Sequence, residues 1–233
     1  MEPGQSFRHD GAHPSLTADE RRIVAEFTRL YYRQWWHDRA GGRGTVSIGW
    51  LGHLAQKCPT DLWTVQEIVV ETQPDLIVEC GTCLGGSGLF LASVCEAIGR
   101  GRVISIDVAQ HSHRPQHPRL SYLAGDSAAP AVVDRVRGQI EASARVMVIL
   151  DSDHRRDHVA AELAAYADLV SPGCYLVVED TAINGHPIED GFGPGPAEAL
   201  DAFLAGRPDF VVDRSRERFL LTLNPGGFLR RLP

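Results

Sequence analysis

The 233-residue sequence contains no apolar run long enough to cross a bilayer as a helix, and its opening stretch, Met1–Ser15, lacks the hydrophobic centre of a signal peptide. The expectation is a cytoplasmic protein with no membrane partner. Excess positive charge is also missing: the formal net charge of −7 argues against nonspecific binding to nucleic acid. The five cysteines are odd in number and irregularly spaced, so they make no disulfide framework. Cys80 and Cys83 form a C-x-x-C, but no second pair completes a zinc site, and the cysteines read as reduced structural thiols. No internal repeat is present. A regular G-x-G-x-x-G is absent too, which weakens a dinucleotide reading.

What is present is globular: 43% hydrophobic and 23% charged residues, a length that suits one α/β domain with an extension. Residues 1–60 read as an N-terminal arm and helical extension, and residues 61–233 as the main domain. The chain is organised around Leu76–Gly88. A short apolar run ends in Glu79, glycines follow at 81, 85, 86 and 88, and Leu89–Val94 opens a helical pattern. This is strand, glycine-rich turn and helix, the first unit of a nucleotide-binding α/β sheet. Glycine lets the backbone approach a ligand, and the helix N-terminus offers unpaired N–H groups. An acid before the first glycine suits a ligand with hydroxyls or positive charge better than a pyrophosphate. S-adenosylmethionine (SAM) has a sulfonium, an ammonium and a ribose diol. Glu79, Gly81, Thr82, Gly85 and Ser87 are therefore the candidate cofactor contacts. The next strand, Arg102–Val108, ends in Asp107 at about the spacing of 20 residues expected for a ribose-binding acid. Asp126 and Ser127, after a third strand, are placed for the adenine edge, with a helix cap as the alternative.

The remaining elements follow from caps and periodicity. Thr17-Ala-Asp-Glu20 is a capping box that starts a helix to about Asp38, with Ile23, Val24, Phe27, Leu30 and Tyr31 on its apolar side and a glycine break at 41–44. Trp35 and Trp36 are packing residues or a wall of the substrate pocket. Residues 46–61 read as a loop, and Asp61 as the cap of a helix that Pro74 ends. His111, His113 and His117 lie on a proline-interrupted loop and read as solvated. Residues 181–195, rich in glycine and proline, read as a mobile lid. Asp209–Asp213 and Arg218–Leu223 resemble the arms of a closing hairpin. The fold class is thus α/β: a mostly parallel, doubly wound Rossmann-like sheet with an antiparallel C-terminal edge strand.

Ligands of open α/β sheets bind beyond the carboxyl ends of the strands, and five strands here end in acids. Asp151 and the pair Glu179-Asp180 end what would be neighbouring strands. Three carboxylates in one cleft repel unless a cation neutralises them, and oxygen ligands select a hard ion such as Mg²⁺. The alternative is that Asp151 and Asp180 cap the elements that follow. His154, three residues past Asp151, can face the same cavity.

Leu76-Ile-Val-Glu-Cys-Gly-Thr, Leu150-Asp-Ser-Asp-His154 and Leu176-Val-Val-Glu-Asp180 together resemble the cephalosporin hydroxylase-like family of SAM-dependent methyltransferases, which includes rhamnosyl O-methyltransferases of natural-product pathways. The similarity runs from about Trp35 to the C-terminus and takes in Lys57-Cys-Pro59, Leu62-Trp63 and Gln66-Glu67. The resemblance implies a class I methyltransferase fold, magnesium, often a homo-oligomer, and antibiotic or related secondary metabolism. It matches Asp151, Glu179 and Asp180 to the metal ligands, and His154 to a general base. No two-histidine, one-carboxylate iron set stands in the sequence, so oxygenase chemistry is discounted. The expected reaction is methyl transfer from SAM to a hydroxyl of a small-molecule acceptor, a sugar or glycosylated natural product. Two rivals are a nicotinamide oxidoreductase, which the irregular glycine pattern disfavours, and a noncatalytic SAM-binding partner, which the intact acids and His154 disfavour.

Overall fold

The computed structural model describes residues 15–41 and 48–233, the side chains of 35–41 excepted. Residues 1–14 of the expected arm, the glycine break at 42–44 and the side chains of Trp35 and Trp36 lie outside the described residues. In chain order the elements are α1 (Ala18–Gly41), β1 (Gly49–Trp50), β2 (His53–Leu54), α2 (Pro59–Thr72), β3 (Leu76–Cys80), α3 (Gly86–Ala97), β4 (Arg102–Asp107) and β5 (Leu120–Ala124). They continue with α4 (Pro130–Arg137), β6 (Val146–Leu150), α5 (Arg156–Tyr166), β7 (Tyr175–Val178), α6 (Pro196–Leu204), β8 (Phe210–Val212) and β9 (Phe228–Arg231).

Seven strands form one sheet in the order β5-β4-β3-β6-β7-β9-β8. The first five are parallel; β9 runs antiparallel between β7 and β8 and reverses direction at this edge. β3 and β6 are buried along their whole length, as unbroken apolar strands at the centre of a parallel sheet must be. Alternate residues face opposite layers. Val78, Ile104, Val148 and Leu176 pack against α4, α5 and α6, whereas Ile77, Val103, Met147 and Tyr175 pack against α2 and α3. The chain leaves β3 toward β4 and β5, then returns to β6 and β7 on the other side. The carboxyl ends of β3 and β6 therefore flank the topological switch point, where a crevice opens.

The capping box forms as expected: the Thr17 N–H donates to Glu20 Oε2 at 2.7 Å, and the Glu20 N–H to Thr17 Oγ1 at 3.3 Å. Four expectations are corrected. Ile23, Phe27 and Leu30 on α1 point to solvent, and the buried side of the helix carries Thr28 and Tyr32 instead. Asp61 does not cap α2, because Pro59 takes the first helical position and Cys58 becomes the cap. Asp61 is instead buried and accepts the Leu223 N–H at 2.9 Å. The second arm of the terminal hairpin is β9 at Phe228–Arg231, not Arg218–Leu223. After β8, Asp213 accepts the Ser215 N–H and turns the chain, while Arg216 and Arg218 pair with Glu71 and Glu67 of α2 and hold 214–218 away from the sheet.

The fourth correction concerns 181–195, which is tied down rather than left as a free lid. Ala182, Ile183 and Ile188 are buried with Tyr32, Cys58 and Leu223 in a third apolar cluster. Glu198 of α6 accepts from the Asn184 amide at 2.8 Å and from the Gly195 N–H at 2.7 Å. The β1–β2 hairpin lies so close to α3 that a Cβ on Gly86 would stand 2.2 Å from the Leu54 carbonyl oxygen. All five cysteines are free.

Candidate active site

The glycine turn is held from beneath by a buried polar network. Glu79 has no exposed surface and accepts the Ser105 hydroxyl. Thr82 Oγ1 and Ser105 Oγ share a hydrogen bond at 2.7 Å, and Ser87 also bonds to Glu79. Burial raises the Glu79 carboxyl above the usual range, against the pull of Lys57 and the two serines. Glu79, Thr82 and Ser87 are thus buried and tied together beneath the turn. Gly81 is explained by a close approach: with φ at +99°, a Cβ would sit 1.9 Å from the Asp151 carbonyl oxygen. Gly85, at φ +84°, caps α3 in the left-handed conformation that glycine adopts without strain.

Asp107 lies at the mouth. Its Oδ2 accepts the Cys83 N–H of the turn at 2.6 Å and its Oδ1 the Ala109 N–H at 2.8 Å. Arg114, unnoticed in the sequence, stands 3.3 Å from Asp107 and donates to the Cys83 carbonyl at 2.8 Å, so it clamps acid and turn together. Asp126 is exposed and accepts the Ala128 N–H at 2.9 Å. Ala129, not Asp126, caps α4. Ser127 turns inward and donates to Glu162 Oε1 at 2.5 Å, alongside Ser152 at 2.6 Å. Glu162 was missed as well, although an acid inside the apolar repeat Val159, Leu163, Tyr166 is a readable signal of a buried polar contact.

Beyond β6 and β7, one donor atom each from Asp151, His154 and Asp180 lies within 4.8 Å of the others. His154 Nε2 is 3.3 Å from Asp180 Oδ2. Asp180 takes a left-handed backbone, φ +54°, and Asn224 Oδ1 fixes it by accepting its N–H at 2.8 Å. Strain of this kind collects at functional sites. Two donors on one Mg²⁺ are at most about 4.2 Å apart, so the cluster fits a small divalent ion after slight contraction.

Glu179, the third expected ligand, stands outside this cluster. It pairs with Lys57, whose Nζ lies 2.6 Å from Glu179 Oε2 and 2.5 Å from Asp151 Oδ2. Lys57 is almost fully buried; burial works to discharge it, but Asp151, Glu179 and Glu79 outweigh that and hold it protonated. Burial pushes the Glu179 carboxyl well above the usual range, with Lys57 opposing. Asp180 is raised for the same reason, with His154 opposing. Nearby Asp61 is pushed up to about 7, first by burial.

This arrangement provides a glycine turn with a clamped acid beside it, and a cation-seeking carboxylate pair with a histidine, at one end of one sheet. The model of the family described as rhamnosyl O-methyltransferase/CmcI matches residues 44–232. The rhamnosyl O-methyltransferase of Mycobacterium tuberculosis is 37% identical over 231 residues, covering 90% of this chain and 92% of the relative. That of Mycobacterium leprae is 36% identical over 206 residues, covering 86% and 89%. A structure of CmcI solved with Mg and SAM is 21% identical with a TM-score of 0.60, over 80% of this chain and 77% of that one, and shows the shared fold. The chain belongs to the rhamnosyl O-methyltransferase/CmcI family.

Proposed function

We propose that the protein transfers a methyl group from SAM to a hydroxyl of a sugar or glycosylated natural product, with Mg²⁺ as its metal. The observation that carries this reading is the convergence of Asp151, His154 and Asp180 donor atoms within 4.8 Å, next to the glycine turn. Gly81–Gly85 would line SAM, with Asp107 accepting from the ribose hydroxyls and Asp126 and Ser127 toward the adenine. Glu79, Thr82 and Ser87 hold the turn rigid from behind. Asp151 and Asp180, with Glu179 as the neighbouring carboxylate, would hold a magnesium ion, which would supply Lewis acidity and orientation to the acceptor hydroxyl. His154 Nε2 accepts the hydroxyl proton as the oxygen attacks the methyl in line, the S–CH3 bond breaks and SAH leaves as the neutral thioether. Such general-base help is worth roughly 10²–10⁴-fold, and holding both reactants adds to it.

The same reading includes a cytoplasmic setting, for which the five free cysteines speak, and a homo-oligomer, for which the exposed Ile23, Phe27 and Leu30 stripe on α1 speaks. Secondary metabolism is the pathway class, with neither nucleic acid nor membrane as a partner. The test follows labelled methyl from SAM into a panel of glycosides. Chelation by EDTA abolishes transfer and Mg²⁺ restores it; His154→Ala loses roughly 10²–10⁴-fold while retaining SAH affinity. Full transfer in thoroughly chelated enzyme refutes the metal, and rescue of His154→Ala by excess Mg²⁺ refutes the base.

A further inference from the structure

Between β4 and β5 the chain runs as a loop, 108–119, whose residues are exposed or half-buried except Arg114 and Pro115. Burying a guanidinium is costly unless its charge and its N–H groups are answered. Arg114 Nε donates to the Cys83 carbonyl at 2.8 Å, and the guanidinium lies over the Tyr122 ring, 5.5 Å from its centroid. Tyr122 in turn donates its hydroxyl to the Pro115 carbonyl at 2.7 Å. The loop sits so close to the glycine turn that a Cβ on Gly85 would stand 2.8 Å from the Tyr122 hydroxyl and 3.0 Å from Pro115 Cδ. One nitrogen is left over: Arg114 Nη2 is buried without a hydrogen bond, 3.3 Å from Asp107 Oδ2.

A buried donor without a hydrogen bond calls for a reason, and Asp107 supplies one. A carboxylate offers about four acceptor sites, two on each oxygen. The Cys83 N–H occupies one on Oδ2 and the Ala109 N–H one on Oδ1. One site on each oxygen remains, which matches the two hydroxyls of a ribose. A full hydrogen bond from Arg114 would use up one of them, whereas an ion pair attracts the acid and leaves both. We infer that Arg114 is a positioning residue of the cofactor site: it holds the turn through the Cys83 carbonyl and Asp107 through charge, and it leaves the acid's open acceptor sites to a ribose diol. The inference rests on the reading that Asp107 receives the ribose of SAM. Arg114 acts through Asp107, since its own Nη2 is closed off from solvent. Only a planar fork can serve a carbonyl with one nitrogen and a carboxylate with another, which is why the residue is arginine rather than lysine.

The test measures the binding of SAH and of its 2′,3′-dideoxy analogue by calorimetry on the full chain, in the wild type, Arg114→Met, Asp107→Ala and the double variant. Arg114→Met is expected to weaken SAH about tenfold, the size of one charge-assisted hydrogen bond, and to leave the dideoxy analogue within about twofold of the wild type. In the Asp107→Ala background the same substitution is expected to change SAH affinity by less than about twofold, because the acid through which it acts is gone. A merely structural role would weaken both ligands alike and would add to the loss from Asp107→Ala. Equal losses for the two ligands, additive losses, or unchanged SAH affinity in Arg114→Met overturn the inference. Should Arg114→Met fail to fold, Arg114→Lys carries the same comparison: it keeps the charge without the fork, and is expected to weaken SAH but not the analogue. A wild type that does not bind SAH, or an Asp107→Ala variant that binds it as tightly as the wild type, overturns the parent reading and this one with it. A weakened Asp107→Ala beside an unaffected Arg114→Met overturns this one alone.

Discussion

Replacing Lys57 by methionine keeps the length of the side chain and removes its charge. In the native protein the ammonium lies 2.5 Å from Asp151 and 2.6 Å from Glu179, and the lysine side chain is only 7% exposed. At an effective dielectric constant of about 20, one such contact is worth roughly 6 kcal/mol of attraction, most of it offset by the desolvation of the three charges. The deletion matters more than the pair: it leaves two carboxylates facing each other out of water, and breaking a buried pair on one side costs about 3–5 kcal/mol. Urea unfolding in EDTA should therefore place Lys57→Met about 3–5 kcal/mol below the wild type with the slope m unchanged. Millimolar Mg²⁺ should recover part of that loss, because a divalent cation brings back the missing positive charge. The Mg²⁺-dependent gain in stability should consequently be larger in the variant than in the wild type. A loss below about 1 kcal/mol, the level of an exposed pair, or an equal response to Mg²⁺ in both proteins would refute the reasoning.

Asp61 carries a carboxyl pushed up to about 7 in the folded state, against an ordinary value near 3.9 in the unfolded chain. The folded protein holds this proton more tightly, so the contribution to stability is full below about pH 4 and is lost as pH rises through 7. Asp61→Asn cannot ionise, and its stability relative to the wild type should climb by about 2.5 kcal/mol between pH 5 and 8; a constant difference across that range refutes the shift. Gly81→Ala places a Cβ 1.9 Å from the Asp151 carbonyl oxygen at a φ of +99°, so the ends of β3 and β6 must part. A destabilisation of at least about 2 kcal/mol by urea titration is expected, together with weaker SAH binding; a wild-type midpoint excludes the close approach. Asp107→Ala should weaken SAM in calorimetry by roughly 1.5–3 kcal/mol for each charge-assisted bond lost, and unchanged affinity removes the ribose assignment.

The sheet was legible because its central strands are unbroken apolar runs, Leu76–Cys80 and Val146–Leu150, between glycine and helix signals. The boundaries of the helices fall within a few residues of the caps and prolines that announce them. What was not legible depends on partners distant in sequence. Arg218–Leu223 has the apolar run of a strand, but Arg216 and Arg218 are drawn to Glu71 and Glu67 across the molecule, and β9 forms later in the chain. Likewise Ile23, Phe27 and Leu30 mark an apolar stripe whose periodicity is real, yet no element of the described chain covers it. Periodicity tells that a face is apolar, not what it meets.

The acids of the site were legible for a topological reason: parallel strands deliver their carboxyl ends to one edge, so acids there must converge. Lys57 was not, since nothing in the local pattern links it to an aspartate 94 residues on. Its presence changes the electrostatic argument. Three carboxylates, Asp151, Glu179 and Asp180, would otherwise face one another with a deficit of three charges. Lys57 supplies one compensating charge, which buried Glu79 also draws on, and a divalent cation can answer the rest. In the absence of such a cation, burial raises both Glu179 and Asp180 above the usual carboxylate range. The lysine thus ties Asp151 to Glu179 at the ends of β6 and β7, beside the point where Asp151, His154 and Asp180 converge.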